Sequence, residues 1–171
     1  INLTTLSLYR NHLVQIEFPG DLASLVDLDV SDNRPADLAF LNTLKGLASL
    51  SLSRCGLSSP QFPPNLAGLT ALDLAYNQIT DVGFLENLTS LISLDLSHND
   101  LSEFLPPGEM PILTNLNLNA NQLTDGAFLT SFPGLSSLHL LSNRIRNLDL
   151  PESLTNLTSL NLAYNRLEHL G

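Results

Sequence analysis

Leucines recur along this chain at one fixed set of offsets, LxxLxLxxNxL, with largely polar or small residues between them. The pattern begins at Leu3, Leu25, Leu47, Leu69, Leu91, Leu113, Leu135 and Leu157, so successive copies are 22 residues apart without an insertion or deletion. Eight copies give 32 apolar sites, of which only Pro35 is not aliphatic. The LxL centre alternates with a period of two, which sends its leucines to one face of a strand and the intervening residues to the other. One such strand cannot bury its leucines alone. Stacked copies can, as a parallel sheet over a continuous leucine core, where each buried leucine contributes roughly 1.5–3 kcal/mol. The predicted fold is an α/β solenoid, mostly β, occupying residues 1–171 as one repeat domain.

Position nine of the pattern is Asn11, Asn33, Asn77, Asn99, Asn121, Asn143 and Asn165, with Cys55 in the third copy. Here the chain must leave the strand, which strands backbone amides and carbonyls inside. A carboxamide both donates and accepts, so stacked asparagines predict a structural ladder rather than a reactive site. Cys55 reads as a small buried substitute in that ladder.

A second period of 44 residues overlies the first. Odd copies carry Pro19, Pro63, Pro107 and Pro151, whereas even copies carry Phe40-Leu41, Phe84-Leu85 and Phe128-Leu129 at the corresponding place. Asp37, Asp81 and Asp125 precede those phenylalanines by three residues. Aspartate there predicts the N-cap of a short helical turn, and proline an extended return. The convex side is therefore expected to alternate between short helical turns and extended segments.

These residues resemble the leucine-rich-repeat family along the whole chain. The 22-residue length and the segment NQITDVGFLENLTSL from Asn77 look most like bacterial internalin-type repeats, and are also similar to those of protein-phosphatase-1 regulatory proteins. The odd copies, such as RNLDLPESLTNLTSL from Arg146, look like secreted bacterial repeat proteins. The resemblance implies a leucine-rich-repeat horseshoe with a concave parallel β-sheet that recognises proteins or glycans. Cysteine-rich end caps are missing, and Leu3, Leu6 and Leu8 would face solvent in a bare first repeat, inviting strand pairing. With Ile1 as its first residue and no signal peptide or membrane-length apolar run, the chain reads as a fragment of a longer protein.

Charge narrows the partners. Seven basic residues stand against seventeen acidic ones, a net charge of −10. That balance repels a phosphate backbone, so the expected partner is a protein or glycan, and a basic or cationic one, with no nucleic acid and no membrane insertion. The single cysteine cannot form an internal disulfide. Extracellular or cell-surface placement is expected, with a cytoplasmic placement as the alternative.

Candidate chemistry lies on the concave face, assigned to positions three, five, seven and eight. Position five reads Ser7, Asp29, Ser51, Asp73, Asp95, Asn117, His139, Asn161, and position eight Arg10, Asp32, Arg54, Tyr76, His98, Ala120, Ser142, Tyr164. From these, Asp29, Arg54, Asp73, Tyr76, Asp95, His98, His139 and Tyr164 are the candidate ligand-binding residues. Asp73 and Asp95, bordered by Tyr76 and His98, form the expected centre of a cationic site. Catalysis finds no footing: Asp95 and His139 share a column but stand two strands, roughly 9–10 Å, apart. His12, His98, His139 and His169 have no metal-ligand spacing, and no cofactor is implied. Three sequons, at Asn2, Asn87 and Asn156, reflect the LTNLTSL phrase of the repeat. The function expected is a macromolecular binding module. Its alternatives are an intracellular regulatory scaffold, such as a phosphatase-binding subunit, and a structural spacer in a larger adhesin or enzyme.

Overall fold

Each copy contributes one three-residue strand whose central leucine points inward. A computed structural model describes residues 2–18 and 22–171. The strands are β1 (Thr5–Ser7), β2 (Asp27–Asp29), β3 (Ser49–Ser51), β4 (Ala71–Asp73), β5 (Ser93–Asp95), β6 (Asn115–Asn117), β7 (Ser137–His139) and β9 (Ser159–Asn161). They form one parallel sheet in chain order. The register pairs Leu6, Leu28, Leu50, Leu72, Leu94, Leu116, Leu138 and Leu160 in a single row. This is the α/β leucine-rich-repeat solenoid that the 22-residue spacing predicts. Two further strands, β8 (Asn147–Leu148) and β10 (His169–Leu170), make a small parallel pair away from that sheet.

The pattern leucines of the second through seventh copies are buried except Leu57, which, like Leu3, Leu6, Leu157, Leu160 and Leu162 of the outer copies, is only partly covered. Among the described residues no helix is long and apolar enough to cross a membrane.

The 44-residue alternation is present on the convex side. Even copies turn through 3₁₀ helices at Ala39–Thr43, Gly83–Asn87 and Ala127–Ser131. Each begins two residues after its aspartate. Asp37 Oδ1 accepts the Ala39 amide at 2.9 Å, Asp81 Oδ1 that of Gly83 at 3.1 Å, and Asp125 Oδ1 that of Ala127 at 3.0 Å. The aspartate thus satisfies the first helical N–H from one position before the geometric N-cap. The segments around Pro107 and Pro151 contain no helix. Pro19 lies outside the described residues. Pro63 is itself extended at φ −71°, ψ 151°, but Pro64–Leu66 forms a single 3₁₀ turn. That turn departs from the expected extended return because Pro64 occupies the first helical position, where a preset φ and a missing N–H are both tolerated.

The longer period also organises the aromatics. Phe18 packs edge-on against Phe40 at 5.9 Å and Phe104 against Phe128 at 5.2 Å, while Phe62 meets Phe84 at a tilt at 5.5 Å. Each pair joins an odd copy to the following even one. Such contacts add about 0.5–1.5 kcal/mol beyond area burial.

Candidate functional site

The concave surface is built from two columns that behave differently. At position five the side chains close the turn that follows each strand. Asp29, Asp73 and Asp95 each use Oδ1 to accept an amide two residues on, from Ser31 at 2.9 Å, Ala75 at 2.9 Å and Ser97 at 2.8 Å. Asn117 and Asn161 do the same for Asn119 and Ala163. These are Asx turns, which the short polar side chains of Asp and Asn form readily. The remaining carboxylate oxygens are bound across strands. Ser7 Oγ donates to Asp29 Oδ2 at 3.3 Å, Ser51 Oγ to Asp73 Oδ2 at 2.9 Å, and Asn117 Nδ2 to Asp95 Oδ2 at 2.8 Å.

Asp73 and Asp95 are register neighbours. Their carboxylates nevertheless turn to opposite sides, toward β3 and β6 respectively. Roughly 5 Å separates adjacent strands, so this divergence relieves the repulsion between the two charges. Position five is thus partly structural, which a reading of it as free recognition surface did not anticipate.

Position seven is open only in part: Tyr9 and Ala163 of the outer copies are exposed, but three inner residues are not. Ser31, Ala75 and Ser97 are buried, because the Asx turn draws this residue under the strand end.

Position eight is the column that faces outward. Arg10, Asp32, Arg54, Tyr76, His98, Ala120, Ser142 and Tyr164 all adopt left-handed backbone, with φ between 52° and 59°. This conformation carries a steric penalty of about 1–2 kcal/mol for an L-residue. The repeat needs it to reverse the chain after the strand and before the asparagine. Since neighbouring copies share it, successive side chains project in parallel, one strand spacing apart. Arg54 Cζ lies 3.7 Å from the centroid of the Tyr76 ring, and that ring stacks on His98 at 3.9 Å and 7°. Arg10 Nε stands 3.9 Å from Asp32 Oδ2, with the arginine largely in water and the aspartate half-buried.

Arg54, Tyr76 and His98 also wall an open groove of ≈ 720 Å³. Its floor is Gly56, at position ten, where the flanking copies place Arg34 and Gln78. A Cβ at Gly56 would meet only open space, but the residue sits at φ +74°, where glycine is favoured.

The other candidates are dispersed. Asp29 is tied to Ser7 and Ser31 at the N-terminal side. His139 Nε2 lies 3.0 Å from Ser137 Oγ, above a shallow depression of ≈ 200 Å³ shared with Asp95 and Asn117. The neighbours of His139 in its column are Asn117 and Asn161. Neither supplies the carboxylate that would orient a histidine base. Tyr164 is 82% exposed. Among the described residues no group of three or more His, Cys, Asp or Glu side chains could hold a metal ion. Asn2, Asn87 and Asn156 are all exposed.

Beneath position eight runs the ladder. Asn99 Nδ2 donates to the carbonyls of Leu74 at 2.9 Å, Leu96 at 3.1 Å and Ser97 at 3.3 Å, and its Oδ1 accepts the Ile79 amide at 2.9 Å. Asn33, Asn77, Asn121, Asn143 and Asn165 likewise bridge to the preceding copy. Asn11 bonds the carbonyls of Leu8 and Tyr9 in its own copy.

At Cys55 the preceding copy presents Pro35 where the others present an N–H. No acceptor is needed there, so a thiol suffices, donating to Val30 O at 3.5 Å. Burial pushes the Cys55 thiol up from its ordinary value. Both exceptions to the repeat therefore fall on one rung, a coincidence visible in the sequence once the ladder's donor is identified as position eleven of the preceding copy.

Comparison with known proteins agrees with this architecture. Models described as leucine-rich repeats match residues 67–107 and 153–171. No curated protein matches the sequence. Among solved structures, the chain is similar to an internalin (inlF) from Listeria monocytogenes, at 26% identity and a TM-score of 0.67, over 87% of this chain and 48% of that one. It is also similar to internalin C2 of the same species, at 27% identity and a TM-score of 0.79, over 96% and 73% of the two chains. A third similar structure is TLR13 in its complex with ssRNA13, at 29% identity and a TM-score of 0.72, over 99% of this chain and 23% of that one. The chain spans about half the length of the first internalin and less than a quarter of TLR13. It is built of leucine-rich repeats and resembles bacterial internalins.

Proposed function

We propose that this leucine-rich-repeat solenoid is a recognition module that binds a protein partner across its concave sheet and the left-handed edge beside it. One observation carries the reading. The turn requires left-handed backbone at position eight, and glycine or asparagine would meet that requirement with less strain. The chain instead places arginine, tyrosine and histidine there, and stacks them in water, where the solenoid gains little from them. A spacer needs no such column. The eight rungs form a rigid, evenly spaced display, the kind of surface that can match an extended partner.

Charge supports a basic partner. The chain carries −10 overall and no lysine or arginine between Cys55 and Asn143. TLR13 was solved with RNA, but a polyphosphate approaching this chain would meet net repulsion. The likeness to two internalins supports a bacterial surface or secreted setting, with the described repeats as one part of a longer protein.

The test is a binding screen of the chain against arrayed proteins and glycans, followed by mapping. Tyr76→Ala and His139→Ala on the concave side should each weaken the selected interaction by about tenfold, the size of one contact worth about 1.4 kcal/mol. Gln61→Ala and Glu86→Ala, away from that surface, should leave it unchanged. Loss confined to the second pair would overturn the proposal. A glycan rather than a protein partner would overturn its choice of ligand class.

A further inference from the structure

The stack that begins at Arg54 ends abruptly. Arg54, Tyr76 and His98 occupy three successive rungs at spacings of 3.7 Å and 3.9 Å. The fourth rung is Ala120, which has the same left-handed backbone at φ 52° and hence aims its Cβ along the same line. A side chain there stops at one carbon. The fifth rung, Ser142, is also short. Tyr76 covers one face of the His98 imidazole. The opposite face looks toward β6 and Ala120, and among the described residues no further ring or guanidinium stacks on it. His98 is exposed. A slot for one planar group is therefore left on the fourth rung, above the Ala120 Cβ and against the open face of His98.

We infer that this slot takes the guanidinium of an arginine side chain from a basic protein partner. The inference rests on the recognition-module reading above and names the chemistry of one contact within it. Three observations choose the occupant. First, the chain closes the other end of the same stack with a guanidinium of its own, Arg54. Second, the open end is acidic: Asp100 follows His98 by two residues in the same copy. Position ten runs alongside position eight, as Gln78 and His98 lining one groove demonstrate, so Asp100 and Gln122 border the slot. Gln122 Nε2 donates to Asp100 Oδ1 at 3.3 Å, and Oδ2 has no partner among the described residues. Third, a guanidinium offers a flat face to the imidazole while its edge donors reach the surrounding oxygens. Lysine lacks the face, and an apolar ring lacks the donors. Arg144, at position ten of the Ser142 copy, is the next basic residue along that column and ends the acidic stretch.

The experiment titrates isotope-labelled chain with an acetylated, amidated tetra-arginine peptide and follows the His98 ring C–H and Ala120 methyl resonances. Both should shift saturably. A tetra-lysine peptide should bind at least several-fold more weakly at equal ionic strength, because it lacks the stacked cation–π contact. N-acetyltyrosinamide should shift neither resonance at the same concentration. Ala120→Tyr, a residue the fold already accepts at Tyr76 and Tyr164, should fill the slot and abolish the tetra-arginine shifts, and His98→Ala should remove the platform. Equal binding of the lysine peptide, preferential binding of the tyrosine amide, or unchanged arginine binding by Ala120→Tyr would each overturn the inference. If the partner found by screening loses affinity with Tyr76→Ala and His139→Ala but not with Ala120→Tyr, the slot is wrong and the recognition module stands. If the slot binds arginine while that partner ignores every concave variant, the module reading fails instead.

Discussion

Replacing Pro35 by leucine and Cys55 by asparagine together should restore a hydrogen bond that neither change can make alone. In the regular rungs the position-nine carboxamide accepts the amide of position eleven in the preceding copy, as Asn99 does from Ile79 at 2.9 Å and Asn143 from Leu123 at 3.0 Å. Pro35 has no amide to donate, and Cys55 has no oxygen to accept one. Pro35→Leu alone points a buried N–H at a thiol, a loss of about 1–3 kcal/mol for an unsatisfied donor. Cys55→Asn alone buries a carboxamide oxygen opposite the proline ring. Its penalty is of the same size, offset by about 0.5–1.5 kcal/mol for each stronger bond from Nδ2 to the carbonyls that the thiol now reaches. The double variant pairs the new donor with the new acceptor. Its stability should exceed the sum of the single effects by about 1–3 kcal/mol, the range expected for directly coupled residues. Leucine fits at position 35 because the other copies carry leucine or isoleucine there. Equilibrium urea unfolding of the four chains, compared at matched m-values, measures the coupling. Effects that add to within about 0.5 kcal/mol would refute the shared-rung argument.

Three further outcomes follow from the same geometry. Asn99→Ala should cost about 1–3 kcal/mol in urea unfolding, because buried backbone groups lose their partners, whereas Asn161→Ala, with one bond at 3.1 Å to the Ala163 amide, should cost far less. Phe132 is fully buried and stacks on Phe104 at 5.7 Å, so Phe132→Ala should cost about 3–5 kcal/mol in the same assay. The raised Cys55 thiol should resist a thiol reagent in the native chain and react on unfolding. Because its folded value lies above the unfolded one, its contribution to stability is complete below the unfolded value and is lost as pH rises through that value toward the folded one. A Cys55→Ala chain should lack that component of alkaline destabilisation.

Much of this fold was legible in the residues, and the reasons for the misses are physical. The leucine register and the ladder follow from spacing alone, because a parallel stack with one repeat length admits no other alignment. The aspartates before Phe40, Phe84 and Phe128 announced the helical turns. The 3₁₀ turn after Pro63 is hidden in the sequence because a second proline, Pro64, looks like a continued extended return yet starts the turn. Pairing of the phenylalanines between odd and even copies was not foreseen, since their sequence offsets differ between Phe62 and Phe104. The largest miss concerned position eight. Left-handed backbone is usually signalled by glycine or asparagine, and Arg54, Tyr76 and His98 give no such signal. Asp29, Asp73 and Asp95 have the look of free surface, although a carboxylate three places before a chain reversal is well placed to accept an amide within it. Arg54, Tyr76 and His98 were singled out individually; their stacking required the backbone.

Partners are expected to meet the concave sheet and its left-handed edge. Hydrogen exchange of the chain, with and without the partner selected by screening, tests this expectation most directly. Residues 95–98, 117–120 and 139–142 should gain protection, with the convex turns at Gly83–Asn87 and Ala127–Ser131 unchanged. Protection confined to those convex turns would contradict it.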